Sequence, residues 1–149
     1  MDPRSLTKDF REFLQCLNDR GVEYLEIGGH AVAYHGYPRA TADLDVWVAV
    51  HHANAARLVA ALTAFGFSVP ELAPGLFLRE DRIIRMGVPP NRIEIQTGID
   101  GVRFAECYPR RIAADLDGMR VHFISLDDLK ANKRASGRNK DLADLDELA

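Results

Sequence analysis

Apolar residues at Leu6, Phe10, Phe13, Leu14 and Leu17 recur at helical spacing, with Ser5 placed to cap. The spacing predicts an opening helix that ends near Gly21. Val22 to Ile27 then alternate apolar and polar positions up to Gly28-Gly29, the pattern of a strand entering a loop. His30 to His35 is short and Ala-rich and reads as a small helix broken by Gly36, Tyr37 and Pro38. Leu44 to Val50 reads as a second strand, and His52 to Phe65 as a helix with Leu58, Val59, Leu62 and Phe65 on one face and Gly66 as its stop.

Further along, two strands are expected, Leu76 to Met86 with a break and Arg92 to Gln96, separated by Gly87-Val88-Pro89-Pro90-Asn91. Phe104 to Arg111 fits a short helix, and Arg120 to Ile124 a strand preceded by a tight turn at Asp117-Gly118. From Ser125 the pattern is two helical pieces broken around Ser136-Gly137, with Ser125 and Asp128 in a capping arrangement. No repeat or linker interrupts the series, so a single mixed α/β domain over residues 1–149 is expected.

Composition narrows the class. With 47% hydrophobic and 28% charged residues the chain is of ordinary globular type. A net charge of −3 argues against a domain held to nucleic acid by its overall field. Cys16 and Cys107 form no paired motif, which excludes a disulfide framework or a cysteine zinc site and points to a cytoplasmic home. No apolar run has the length of a membrane span, so no membrane partner is expected.

The chemistry concentrates in "GGHAVAYHGYPRATADLDV", residues 28–46. Gly28 and Gly29, between a strand and a helix, can turn sharply and offer main-chain N–H groups to an anion such as a phosphate. Glycine pairs also make plain strand-to-helix turns, so this signal is weak alone. Asp43 and Asp45 follow at alternate strand positions and point to one face, where two carboxylates can share a hard divalent cation. A wet strand face is the plainer explanation, but it has to account for two repelling aspartates in a strand. A third acid is expected on a neighbouring strand. Glu94 in "RIEIQ" supplies it, with Ile93 and Ile95 facing the core; Glu80 and Asp81 lie in a charge-mixed stretch that reads as a solvated turn.

These residues resemble the nucleotidyltransferase-fold superfamily, including its small bacterial and archaeal members and some toxin components of toxin–antitoxin pairs. The likeness rests on the Gly-Gly corner, the run Gly36, Arg39, Thr41, Asp43, Asp45, the later acid Glu94, and a tail with Asp128-Leu129, Lys133, Gly137-Arg138, Lys140-Asp141 and Asp144. It spans roughly residues 20–146. The resemblance implies a mixed sheet flanked by helices and transfer of a nucleoside monophosphate from an NTP such as ATP to a hydroxyl. It implies that Asp43, Asp45 and Glu94 are catalytic and hold Mg²⁺ or Mn²⁺, and that Gly28, Gly29, Arg39, Thr41 and Lys133 bind the nucleotide.

Of the tail cations Lys130, Lys133, Arg134, Arg138 and Lys140, Lys133 matches the family position; the others read as a solvated helix face. His51 and His52 diverge and cannot readily share a metal, and His30 reads as a helix-terminal surface residue. The acceptor stays open among a small molecule, a tRNA end and a protein hydroxyl, as does a partner chain, either an antitoxin or a second copy. Two other classes compete: a domain of the same fold that binds a nucleotide or partner without turnover, and a metal-dependent nuclease.

Overall fold

The computed structural model describes residues 6–37, 43–88 and 91–148. Ser5, Arg39 and Thr41 therefore lie outside the described residues, as do Pro38 and Pro89-Pro90. The first helix, α1 (Lys8–Asp19), is capped by Thr7, whose side chain accepts from the Phe10 N–H, and buries Phe10, Phe13, Leu14 and Leu17. Strand β1 (Tyr24–Glu26) runs into Gly28, helix α2 (Gly29–Tyr34) and then β2 (Asp43–Val48). Helix α3 (His52–Phe65) ends at Gly66 in the left-handed region, φ 103°. His51 caps it: Nδ1 accepts from the Asn54 N–H, and Nε2 faces Glu23 at 3.0 Å.

Strands β3 (Ile83–Met86), β4 (Arg92–Gln96), β5 (Ile112–Leu116) and β6 (Met119–Phe123) complete one mixed sheet of order β3-β4-β2-β1-β6-β5. β1 pairs antiparallel with β2 and parallel with β6, while β2 pairs parallel with β4. The chain is an α/β fold with helices against the sheet. Leu44, Val46 and Val48 are buried on the side of β2 opposite the aspartates. The other side is covered by α4 (Phe104–Cys107), whose Phe104 ring meets Trp47 edge-on at 5.1 Å, and by α5 (Leu126–Ser136) and α6 (Asn139–Glu147).

Three segments differ from the sequence expectation. Residues 76–82 are not strand: a 3-10 turn, Pro74–Phe77, precedes the shorter β3. Proline presets the turn's first residue, and Phe77 is buried as its anchor. The helix from Phe104 stops at Cys107 and tightens into a 3-10 turn over Tyr108–Arg110, where Pro109 lacks an N–H to donate. β5 was not anticipated. It pairs with β6 through Asp117-Gly118, both at positive φ (53° and 84°), the geometry of a two-residue hairpin turn.

Candidate functional site

Register builds the site. The β2–β4 ladder sets Asp43 opposite Arg92 and Asp45 opposite Glu94, and the β3–β4 ladder adds Arg85 opposite Glu94. Residues opposite one another share a face, so Asp45, Glu94 and Arg85 form one row across three strands. Arg85 Nε donates to Glu94 Oε1 at 2.9 Å, and Arg92 donates to Asp43 Oδ2 at 2.7 Å. Arg92 Nε also lies 3.8 Å from Glu94 Oε1.

The two facing carboxyls act on each other. Burial, then that bond, then the charge of Glu94 push Asp45 up to about 7. Burial would raise Glu94 as well, but the hydrogen bonds from Asp45 and Arg85 outweigh it and hold Glu94 below the ordinary carboxylate range. Of the two, Asp45 is therefore the one that holds a proton more readily.

The glycine corner sits against this pair. A Cβ built on Gly28 would lie 2.8 Å from the Asp45 Cβ and closer still to Oδ2. Gly28 has φ −91°, so it is close approach rather than a left-handed backbone that calls for glycine here. Its N–H turns inward, donating to Glu26 Oε1 at 3.3 Å. Gly29 is buried as the first residue of α2.

Glu26 is a residue the sequence reading missed. It pairs with Val46 and so faces away from Asp45, fully buried, with its carboxyl raised well above the usual range by burial and then by the Asp45 charge. His30, expected at the surface, is also buried: its Nδ1 lies 4.0 Å from Glu26, and burial lowers it to about 4. Burial thus works against the charged form of both groups under the corner. The unusual polar residue between Leu25 and Ile27 was the available signal.

The acids, the corner and the tail enclose a cavity of about 590 Å³. Lys133 reaches its lining, but its ammonium is buried and lies 3.3 Å from Asp141 and 3.1 Å from Asp144. Lys140 and Arg138 also line the cavity, and both act electrostatically on Asp45. Asp43, Asp45 and Glu94 thus lie on one face with Gly28 and Gly29 beside them.

Oxygen donors of this kind suit Mg²⁺ or Mn²⁺, and a cation between Asp45 and Glu94 would take the place of the proton that Asp45 binds more readily than usual. Among the described residues, however, no group of three potential ligands is gathered tightly enough to hold a metal as it stands. Asp43, with Oδ2 on Arg92, would have to turn to join. No helix among the described residues is long and apolar enough to cross a membrane.

No protein-family model matches the chain, and no curated protein matches it. Among solved structures it is similar to an antigenic nucleotidyltransferase-like protein from Paracoccidioides brasiliensis, with a TM-score of 0.52 and 18% identity over 91% of this chain and 71% of that one. At that identity the likeness shows the fold: the chain has a nucleotidyltransferase-like fold.

Proposed function

We propose that the protein is a divalent-metal-dependent nucleotidyltransferase that moves a nucleoside monophosphate from an NTP to a hydroxyl. The observation that carries this reading is the Asp45–Glu94 carboxyl pair, packed under Gly28 and faced across one cavity by Lys140 and Arg138. Two carboxylates facing one another are unfavourable in a folded chain, and the arrangement becomes useful once a cation sits between them.

Asp45 and Glu94 would hold the cation, joined by Asp43 once it leaves Arg92. When bound, a divalent cation neutralises triphosphate charge and polarises the α-phosphorus. Lys140 and Arg138 provide positive groups for the phosphates. The acceptor oxygen forms a bond to the α-phosphorus as the bond to the pyrophosphate oxygen breaks. The hydroxyl proton passes to a carboxylate of the pair, which has by then given up its own proton.

The test is incubation with α-labelled NTPs, Mg²⁺ and a cell extract. Label should appear on an extract component, require Mg²⁺ and vanish in Asp45→Asn. Absence of transfer with every NTP would count against the reading.

One observation favours a second reading, binding without turnover: Arg92 and Arg85 already occupy Asp43 and Glu94. Under that reading calorimetry detects NTP binding without Mg²⁺, and no label moves.

A further inference from the structure

A second cavity, of about 550 Å³, lies on the same sheet face one step further along β2. Trp47, two residues beyond Asp45 and on its side of the strand, lines it, and Phe104 and Tyr108 supply an aromatic wall from the α4 segment. Asp81, Gly98 and Ile99 line both cavities, so the two meet along a common border.

That border is well fixed. Asp81 adopts φ 67° and is anchored by its neighbours: the Arg82 N–H donates to Thr97 Oγ1 at 2.9 Å, and the Thr97 N–H donates to the Arg82 carbonyl at 3.0 Å. A Cβ on Gly98 would lie 3.0 Å from the Asp81 nitrogen, so the two segments are in close contact. The lining carries the carboxylates of Glu23, Glu80 and Asp81 against the single guanidinium of Arg103, with His51 engaged by Glu23. An apolar cleft with a few placed polar groups is the usual form of a small-molecule site, and this charge excess repels phosphate.

We propose that this cavity is the acceptor pocket, and that it takes a hydroxyl-bearing small molecule with an apolar ring and an amine rather than a phosphate-bearing acceptor. This rests on the transferase reading, since the pocket borders the cavity that Asp45 and Glu94 line. The ring lies against Phe104 and Tyr108, with Trp47 packed edge-on behind Phe104, and the ammonium is drawn to Glu80 and Asp81.

Trp47 is the chain's one tryptophan, so its fluorescence reports on this cavity, while calorimetry with Mg·ATP reports on the neighbouring one. Phenethylamine and 3-phenylpropionate, alike in ring and opposite in charge, are the probes. The amine should perturb Trp47 at about one-tenth the concentration the acid needs, as charge complementarity predicts. Glu80→Gln should shrink that gap. Ala105→Arg, a substitution at an exposed lining residue, should abolish the amine response and leave Mg·ATP binding unchanged. An absent response, equal responses to both probes, or a response untouched by Ala105→Arg would overturn the pocket while leaving the transferase reading in place. Failure of the parent protein to bind Mg·ATP would overturn the transferase reading and the acceptor role with it, whatever Trp47 reports.

Discussion

One cavity is lined by two charge clusters of opposite character. Lys133 stands between Asp141 and Asp144, with Ser136 and Arg138 also bonded to Asp141, so each charge there meets an opposite or a donor. Asp45 and Glu94 are like charges face to face, relieved by the proton that Asp45 binds more readily and by Arg85. The first cluster ties α5 to α6 and is satisfied as built. The second sets two acids face to face at a cavity wall, and under the proposed function a bound cation takes over the relief that the proton gives.

Breaking each cluster should give effects of opposite sign. Lys133→Ala leaves two buried acids without their cation and should lower stability by about 3–5 kcal/mol in urea denaturation. Asp45→Asn removes the repulsion and should do the reverse, with a pH signature. The folded-state value of Asp45, about 7, lies above its ordinary 3.8. Its stabilising effect is therefore complete below pH 3.8 and is lost as pH rises through about 7. Asparagine keeps the neutral form, so the variant should exceed the parent by about 1–3 kcal/mol at pH 8 without metal, and by progressively less toward pH 4.

Two smaller effects sharpen the contrast. Gly28→Ala pushes a methyl into Asp45 and should weaken Mg·ATP binding about tenfold, roughly 1.4 kcal/mol by calorimetry. Arg85→Ala removes a half-exposed partner of Glu94 and should change stability by less than about 1 kcal/mol. It should also raise the apparent pKa of the acid pair, which NMR titration of the carboxyl carbons would read.

Much of this was legible in the sequence because it followed from periodicity. The limits of α3, the face shared by Asp43 and Asp45, and the outward Glu94 between Ile93 and Ile95 all come from spacing alone. What was not legible depended on partners distant in the chain. Lys133 could be placed on a helix, but not between two acids of the next one. Arg92 shares the parity of Glu94 within β4, yet nothing local says that it reaches Asp43 on β2 or that the strand of Arg85 flanks Glu94 on its other side. β5 is half exposed at an edge and reads IAADL, with alanines and an aspartate that carry little strand signal, so only its turn stood out.

The β2–β4 ladder has a consequence for how this chain tolerates length changes. Side chains alternate faces along β4, so a shift of its pairing by one residue would bring Ile93 or Ile95 beside Asp45 and turn Glu94 into the core. An inserted residue in the 66–82 stretch can be taken up by irregular chain. The same insertion between Arg92 and Ile93 would set Ile93 in place of Glu94 opposite Asp45.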